Sequence, residues 1–318
     1  SSATIIIFGA TGDLMKHKLI PALYRLAVQK GSNQYIIIGA AFDAVTPQEM
    51  MERGKPFIQE AVDESIWQEL CKRAYYQQLN FLYAHDFSML AALIVQCEKR
   101  HRLSGNRLLY MATASDHFCA ITHNIAATGI AKKKELCDPM WHRIVYEKPF
   151  GYDLASAHEI NACIANSFDE KQIYRIDHYL TKELVNNIAL MRFTNSIFEP
   201  LWNNRYIDSV QIIMTEQLGL EGRGIFYDRY GAMRDVVQNH ALELLALIAM
   251  QAPEKLIGEY VRSQRAQIIS KVRITDGILG QYKGYQDEQG VRLGSTTETF
   301  AALQLMIDSP RWIGVPFY

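Results

Sequence analysis

Short apolar runs alternate with helix-like stretches along the first part of the chain. Ala3–Phe8 is a β-branched apolar run that leads into the glycine-containing turn Gly9–Gly12. Apolar residues then recur at helical spacing over Met15–Gln29, and a second strand is predicted over Tyr35–Ile38, stopping at Gly39. Continuous apolar runs of this length are typical of strands buried on both faces, so the chain is predicted to open with a βαβ unit.

The alternation continues to about residue 176. Further predicted helices are Pro47–Glu60, Glu64–Gln77, Ser88–Lys99, Phe118–Thr128 and Asp153–Asn166, and further predicted strands are Arg107–Ala112 and Arg143–Val145. Strands that alternate with helices of this length indicate an α/β fold with a parallel, doubly wound sheet. We therefore predict a Rossmann-type dinucleotide-binding domain over residues 1–176.

The pattern changes after this point. The predicted helices are Lys182–Phe193 and Arg234–Met250, and the β-like runs are Ile207–Gln217, Gly280–Tyr285 and Thr299–Ile307. This mixture indicates an α+β domain with a mainly antiparallel sheet. Residues 177–318 are therefore predicted to form a second domain, and the candidate residues described below make it the substrate-binding and catalytic one.

The overall charge excludes some classes of partner. Of the 318 residues, 49% are hydrophobic and 21% are charged, and the formal net charge is -1. Because no global field draws such a chain to nucleic acid or to an anionic membrane, we expect neither partner. Any anionic ligand must then be held by a local cluster of cations.

Cysteine usage and chain hydrophobicity indicate a cytoplasmic protein. No apolar run is long enough to span a bilayer. The cysteines are scattered without C-x-x-C spacing, at Cys71, Cys97, Cys119, Cys137 and Cys163. Reduced thiols are the favoured interpretation, ahead of disulfides or a zinc site, and we expect no metal.

The glycine turn after the first strand is a candidate phosphate-binding loop. A strand that ends in such a turn and feeds a helix points backbone N–H groups at a dinucleotide pyrophosphate. The spacing here is Gly9-x-x-Gly12-x-x-Met15, which lacks the third glycine of the usual motif, and a purely structural turn would look similar. Its place at the start of a βαβ unit favours the dinucleotide site, and Lys16 and Lys18 follow within reach of phosphates.

The end of the second strand bears on the choice between NAD and NADP. An acidic residue there accepts the ribose hydroxyls of NAD, whereas an arginine pairs with the extra phosphate of NADP. The chain has Phe42 and Asp43 at this place, and the next arginine is Arg53. The alternative is that Asp43 only caps a turn before the next helix.

A lysine–proline pair closes the strand near residue 145. Glu147-Lys148-Pro149 falls at the carboxyl edge of the predicted sheet, where ligands of such folds bind. A cis Lys148–Pro149 bond would shape this loop. Lys148 is then expected to point between cofactor and substrate.

A cluster of polar residues follows the predicted domain boundary. Asp177, His178, Tyr179 and Lys182 lie in one short stretch where a strand meets a helix. His178 and Lys182 would share a helix face if the helix begins early enough. Imidazole, phenol and ammonium groups together can hold a phosphate, and the alternative is a polar cap with a surface ion pair.

His240 opens the apolar helix Arg234–Met250 and is a candidate general base. The positive end of a helix disfavours the protonated imidazole, so such a histidine readily accepts a proton. If Asp177 accepts from its second ring nitrogen, the carboxylate fixes the tautomer and stabilises the imidazolium. The alternative is a histidine satisfied within a domain interface.

Together these segments resemble the glucose-6-phosphate dehydrogenase family over essentially the whole chain. The resemblance is carried by the runs GATGDLMKHKLIPAL, EKPFG, RIDHYLTKE and RDVVQNH. It implies oxidation of glucose 6-phosphate at C1 to 6-phosphoglucono-lactone, with hydride transfer to NADP or NAD, at the start of the oxidative pentose phosphate pathway. It also implies a homodimer or homotetramer.

The resemblance further implies a role for each matching residue. His240 would be the base and Asp177 its orienting carboxylate. The implied substrate ligands are Lys148, His178, Tyr179 and Lys182 for the phosphate and Glu216 and Asp235 for the sugar hydroxyls. The implied cofactor ligands are Gly9, Thr11, Gly12, Asp13, Leu14, Lys18 and Lys148. The positions of Asp43 after the second strand and of Pro149 beside Lys148 add these two residues to the candidate cofactor site.

The chain also departs from the family pattern. Thr181 replaces a glycine, and Thr113-Ala114-Ser115 replaces paired prolines, so both loops are expected to differ. Phe42 stands where the family reads the NADP phosphate with arginine, which predicts NAD or dual use. The chain ends at Tyr318, before a family lysine that helps hold the phosphate, and a C-terminal truncation is expected. The alternatives are a dehydrogenase of a different sugar phosphate and a catalytically silent homologue that acts as a binding protein.

Overall fold

A computed structural model describes residues 2–133 and 139–318. The chain divides into two units, Ser1–Ile176 and Asp177–Tyr318. Cys137, one of the cysteines predicted to be reduced, lies outside the described residues. The other four, at positions 71, 97, 119 and 163, are free thiols.

The first unit is built on six strands that form one parallel sheet in the order β3-β2-β1-β4-β5-β6. The strands are β1 Ala3–Phe8, β2 Tyr35–Ala41, β3 Ala74–Gln78, β4 Arg107–Met111, β5 His142–Tyr146 and β6 Ile173–Arg175. The strand order reverses between β1 and β4, which is where ligands of doubly wound sheets bind. The predicted doubly wound α/β fold is confirmed.

Helices cover both faces of this sheet. They are α1 Ile20–Lys30, α2 Pro47–Glu52, α3 Glu64–Cys71, α4 Ala84–His101, α5 Phe118–Ala127 and α6 Leu154–Ser167. Successive side chains of a strand point to opposite faces. In β1, Ile6 and Phe8 pack into one buried cluster and Ile7 packs into the other. An apolar side chain is therefore needed at each of these positions, which is why the strand reads as an unbroken run.

The predicted helix Glu64–Gln77 is wrong in its second half. Helix α3 ends at Cys71, and Ala74–Gln78 forms β3, which pairs in parallel with β2 from Ile37 to Ala41. Pairing with a neighbouring strand satisfies the backbone of this segment, and the local pattern contains no sign of that neighbour. The predicted helix Pro47–Glu60 likewise ends early, at Glu52.

The prediction that the second strand stops at Gly39 is also wrong, because β2 continues to Ala41. A Cβ atom added at Gly39 would lie 2.2 Å from Met50 Sδ and 2.8 Å from Ala10 Cβ. The glycine therefore marks a close approach of neighbouring side chains to the strand rather than its end.

The second unit contains four helices and a two-stranded antiparallel sheet within the described residues. Its elements are α7 Glu183–Thr194, α8 Gly224–Ala232, α9 Leu242–Ala249, α10 Gly258–Ile269, β7 Val272–Gly280 and β8 Phe300–Ile307. A π-helical segment, Met233–Ala241, runs directly into α9. The core of the unit includes Leu245, Leu305, Trp312 and Phe317.

Some β predictions for this unit are wrong. Ile207–Gln217 forms no regular strand, and Val210 makes an isolated bridge with Phe317. A β-branched run becomes a strand only where a partner is available along its length, and here the backbone bonds join it to Pro316 and Tyr318. The β-like run Gly280–Tyr285 begins where β7 ends, and helices α8 and α10 were not predicted.

No helix in the described part of the chain is long and apolar enough to cross a membrane.

Candidate active site and dinucleotide site

The glycine turn lies at the carboxyl end of β1. Gly9 has a positive φ of 83°, and a Cβ there would lie 2.4 Å from the Ala112 carbonyl oxygen. The Gly12 N–H donates to the Gly9 carbonyl at 3.0 Å, and the helix begins at Asp13. The turn therefore delivers the start of a helix to the edge of the sheet, which suits an anion.

The missing third glycine of the usual motif is replaced by a buried side chain. Met15 is fully buried in the core and begins a π-helical turn, Met15–Leu19, that precedes α1. The usual motif has a glycine, without a side chain, at the position of Met15. Here the buried Met15 side chain is accompanied by a wider, π-helical turn. Leu14 is half-buried in the same turn, and Lys18 is exposed.

Asp43 is held beside this turn. The Thr11 hydroxyl donates to the Asp43 carboxylate. The cap of α2 is Thr46, whose side chain accepts from the Glu49 N–H at 3.1 Å. Asp43 therefore does not cap that helix, which counts against the turn-capping alternative. Tyr76 of β3 donates to the Asp43 carbonyl at 2.5 Å and secures the end of β2.

Arg53 is a cation that also acts on the end of β2, and the sequence analysis did not predict this. Burial and, after it, the charge of Asp43 raise the pKa of the Tyr76 phenol to about 12, and the charge of Arg53 opposes that rise. Arg53 thus exerts its charge on the phenol that binds the Asp43 carbonyl. Phe42 is half exposed, and its ring lies 4.8 Å from that of Phe81.

Thr113 adds a polar group that was noted only as a departure from the family. Its Oγ1 is buried and has no hydrogen-bond partner. Its Cγ2 lies 3.0 Å from the position of a Cβ at Gly9, so the side chain adjoins the glycine turn. An unpaired buried hydroxyl at the carboxyl edge of the sheet fits a site that holds a polar ligand.

Lys148 and Pro149 follow β5 and are joined by a cis peptide bond. The preceding Glu147 is buried, and its carboxylate accepts a hydrogen bond from the Tyr110 hydroxyl of β4. Because they follow β5 directly, Lys148 and Pro149 lie at the carboxyl edge of the sheet, as the glycine turn does. They belong to the first unit.

In the second unit, Asp177 and His240 form a hydrogen-bonded pair. His240 Nδ1 lies 3.0 Å from Asp177 Oδ1 and 3.1 Å from Oδ2. The His240 side chain is 6% exposed and that of Asp177 is 17% exposed. The carboxylate also accepts the Tyr179 N–H at 2.8 Å. A neutral imidazole that donates from Nδ1 carries its lone pair on Nε2, which is the arrangement a general base needs.

Tyr179 packs against the His240–Asp177 pair, and Lys182 packs against Tyr179. The Tyr179 ring stacks on the His240 ring with centroids 4.1 Å apart, and Lys182 Nζ lies 3.7 Å from the Tyr179 centroid. His178 is exposed and comes just before the 3-10 turn Tyr179–Thr181. Asp177, Tyr179, Lys182 and His240 are thus brought together.

The expectation that His178 and Lys182 share a helix face is wrong. Lys182 is the N-cap of α7, with extended backbone angles of φ -70° and ψ 132°, and the helix begins at Glu183. The side chain of Thr181, predicted to affect this start, is outside what the structure describes.

The charges of Glu216 and Asp235 act on one phenol. Burial is the largest cause that raises the pKa of Tyr227 to about 12, and the charges of Asp235, Glu298 and Glu216 contribute to the same rise. Glu216 is exposed on an irregular segment, and Asp235 lies on the π-helical segment that carries His240. In a π-helix residues i and i+5 are bonded neighbours, so Asp235 and His240 share a face. Tyr227 was not among the predicted residues.

The helix that carries His240 is held at its C-terminus by a buried arginine. Arg192 of α7 donates to the carbonyl oxygens of Leu247 at 2.8 Å, Ile248 at 2.7 Å and Met250 at 2.9 Å. Its side chain is fully buried and pairs with Glu199 at 3.0 Å. Burial lowers the pKa of Arg192 to about 10. The last carbonyls of a helix lack intrahelical partners, so this contact fixes where α9 ends.

Among the described residues no group of three or more His, Cys, Asp and Glu side chains is arranged to hold a metal ion.

Two family models match the chain. "Glucose-6-phosphate dehydrogenase, NAD binding domain" matches residues 6–187, and "Glucose-6-phosphate dehydrogenase, C-terminal domain" matches residues 189–318. The glucose-6-phosphate 1-dehydrogenase of Chlamydia muridarum is 38% identical over 99% of this chain and 66% of its own length. That of Bacillus subtilis is 38% identical over 99% of this chain and 67% of its own length. The chain thus spans about two thirds of the length of these curated relatives.

Solved structures give the same result. A glucose-6-phosphate dehydrogenase in complex with its substrate glucose-6-phosphate is 33% identical, with a TM-score of 0.90 over 100% of this chain and 68% of that chain. Glucose-6-phosphate 1-dehydrogenase from Mycobacterium avium is 35% identical, with a TM-score of 0.86 and the same coverage.

The arginine clamp on α9 leads to a stability prediction. We expect Arg192→Met to lower the free energy of unfolding by about 2–4 kcal/mol, because the helix carbonyls and Glu199 lose a buried charged partner. Arg273→Met is the control, since its pair with Asp308 is 60% and 63% exposed and should contribute less than about 1 kcal/mol. Urea unfolding measures both, and equal stability of the two variants would contradict a supporting role for Arg192.

Proposed function

The chain belongs to the glucose-6-phosphate dehydrogenase family, and we propose that it carries the centre that oxidises glucose 6-phosphate at C1. The product is 6-phosphoglucono-lactone, and the hydride passes to a nicotinamide dinucleotide. The observation that carries the proposal is the buried hydrogen-bonded pair of His240 and Asp177. A bound dinucleotide would supply the hydride acceptor.

His240 is proposed as the general base. The C1 hydroxyl proton goes to Nε2, the C1–H bond breaks with its electron pair leaving as hydride, and a C=O bond forms in its place. Asp177 accepts from Nδ1, so it fixes the tautomer and stabilises the imidazolium that results. The stacked Tyr179 ring limits rotation of the imidazole.

The phosphate of the substrate is proposed to bind His178, Tyr179 and Lys182. Lys182 Nζ lies 3.7 Å from the centroid of the Tyr179 ring, so the ammonium and the phenol form one compact group. A cation and a hydroxyl held together in this way suit a phosphate. Lys148 is proposed to contact both substrate and cofactor, and Glu216 and Asp235 to accept hydrogen bonds from sugar hydroxyls.

There are two rival proposals. A dehydrogenase of another sugar phosphate would use the same base and the same phosphate group, so only substrate comparison separates it. A silent binding homologue is disfavoured because the imidazole–carboxylate pair and its supporting contacts are intact.

The dinucleotide is proposed to lie along Gly9, Thr11, Gly12, Asp13, Leu14 and Lys18, with Pro149 shaping the adjoining loop. Support comes from the glycine turn, which brings the start of a helix to the carboxyl edge of the sheet, and from the unpaired Thr113 hydroxyl beside it. Asp43, held by Thr11, offers carboxylate oxygens to ribose hydroxyls, as NAD requires. Arg53 acts on the Tyr76 phenol that binds the Asp43 carbonyl, and with this cation we propose that NAD and NADP are both accepted.

A homodimer or homotetramer and a cytoplasmic location stay predictions. Mass measurement in solution and cell fractionation test them.

We expect His240→Asn to lower kcat for glucose 6-phosphate by about 10²–10⁴-fold with little change in KM, because the base is lost while substrate contacts remain. Reduction of the dinucleotide, followed by absorbance, measures this. His123→Asn is the control, since His123 is exposed on α5 of the first unit. Undiminished turnover of the His240 variant would refute the assignment of the base.

We expect Lys182→Met to raise KM for glucose 6-phosphate by about ten- to a hundredfold, because a charge-assisted phosphate contact is lost. Turnover of free glucose, which has no phosphate, should be unchanged. Lys255→Met is the matched control, as Lys255 also lies over a tyrosine ring, 6.0 Å from Tyr260. A parallel loss with both sugars would argue against a phosphate contact, and a better sugar phosphate than glucose 6-phosphate would favour the rival dehydrogenase.

For the cofactor, we expect wild-type kcat/KM values for NAD and NADP to lie within about tenfold of each other. Asp43→Ala should lower kcat/KM for NAD by about tenfold and Arg53→Ala should lower that for NADP, since each loses one charged hydrogen-bonding group. Each variant serves as the control for the other. A strong NADP preference in the wild-type protein would contradict this interpretation of Phe42 and Asp43.

A further inference from the structure

A glycine with non-helical backbone angles lies two residues before the π-helical segment that carries His240. Gly231 has φ 67° and ψ 176°, a region of backbone space that is essentially restricted to glycine, and it breaks the helical path near the end of α8. A Cβ at this position would lie 2.4 Å from Glu298 Oε1 and 2.8 Å from Oε2. The absent side chain is therefore what makes room for a carboxylate.

Glu298 uses that space to bind the start of the π-helical segment. Its Oε1 accepts the Met233 N–H at 3.0 Å, and its backbone carbonyl accepts the Ala232 N–H at 2.9 Å. The first N–H groups of a helix lack intrahelical partners, and a carboxylate there is also favoured by the helix dipole. One residue therefore satisfies two successive N–H groups at this break.

The segment that carries Glu298 is itself anchored to α8. Asp228 is buried and accepts from Tyr285 Oη at 3.0 Å, from Arg292 Nε at 2.7 Å and from the Ser295 hydroxyl. Burial alone would raise the pKa of Asp228, but these hydrogen bonds hold it down to about 2. The carboxylate thus stays ionised and ties residues 285–295 to the helix just before Gly231.

The contact reaches the segment that carries both Asp235 and His240. The charges of Asp235, Glu298 and Glu216 all help to raise the pKa of the Tyr227 phenol. Met233 and His240 both belong to the π-helical segment. Each π turn closes over one more residue than an α turn, so a change of register at Met233 would rotate His240.

We infer that Glu298 is a positioning residue: by binding the Met233 N–H across Gly231 it sets the register of the π-helical segment and so the direction in which His240 faces. The inference rests on the proposed function of His240 as the base. It adds a residue that acts on the imidazole through the helix.

The test compares three substitutions of Glu298 with a control on the same segment. Glu298→Ala removes the acceptor, Glu298→Asp keeps the charge but is one methylene shorter, and Glu298→Gln keeps an oxygen at the same reach. Glu288→Ala is the control, since Glu288 accepts from Tyr282 Oη at 2.9 Å rather than from the helix. For each purified variant, kcat and KM for glucose 6-phosphate, urea unfolding and the nitrogen resonances of the His240 imidazole are measured.

We expect Glu298→Ala and Glu298→Asp to lower kcat by about tenfold with KM changed less than about threefold, and to shift the His240 resonances. Glu298→Gln should restore kcat to within about threefold, because its amide oxygen still accepts the Met233 N–H. Glu288→Ala should match the wild-type protein. If the alanine variant does not fold, the aspartate and glutamine variants still separate reach from charge.

The inference is overturned if folded Glu298→Ala or Glu298→Asp has wild-type kcat and wild-type His240 resonances, or if only the unfolding free energy changes. Its failure is distinct from failure of the proposed function. If the wild-type protein does not oxidise glucose 6-phosphate, the proposed function is wrong, while the His240 resonances still show whether Glu298 orients the imidazole.

Discussion

A buried imidazole needs partners for its ring nitrogens, and the partner of His240 Nδ1 is the Asp177 carboxylate at 3.0 Å. The contact joins the residue that opens the second unit to a helix that starts more than fifty residues later. Asp177 also accepts the Tyr179 N–H, so the same carboxylate shapes the turn that presents Tyr179 and Lys182. The geometry of the base and of the proposed phosphate ligands therefore depends on one carboxylate.

That contact is useful only if the helix cannot slide or rotate. Arg192 binds the carbonyl oxygens at the end of α9, and Glu298 binds the first N–H groups of the π-helical segment. Both are charged groups at helix ends, where backbone groups are unpaired and where the helix dipole favours these signs of charge. The π geometry itself brings Asp235 and His240 to one face, at the expense of the more favourable α-helical bonding.

In the first unit, the glycine turn after β1 and the end of β2 are constrained by the space between neighbouring segments. Gly9 permits the approach of the chain after β4, and Gly39 permits that of Met50 and Ala10. Where the usual motif has a third glycine, Met15 is buried and the helix widens into a π turn. Thr11 holds the Asp43 carboxylate beside the turn, and Arg53 acts on the Tyr76 phenol that binds the Asp43 carbonyl, so we propose that a balance of these charges sets the choice of cofactor.

Local pattern was sufficient for the elements whose signal is carried by their own residues. The doubly buried run Ala3–Phe8 had to be a strand, and the doubly wound sheet followed from the alternation of such runs with amphipathic helices. The residue types at 177–182 and at 240 also indicated a phosphate-binding group and a general base, because few side chains can bind a phosphate or accept a proton in this way.

Ala74–Gln78 and Ile207–Gln217 were misjudged because pairing partners distant in the chain decide whether a run becomes a strand. The π-helical register, the start of α7 at Glu183 and the contacts of Arg192 and Glu298 depend on packing between distant segments. Sequence therefore determined which chemistry is present, and tertiary structure alone decided how those groups face one another, because their directions are set by hydrogen bonds between residues that no local pattern relates.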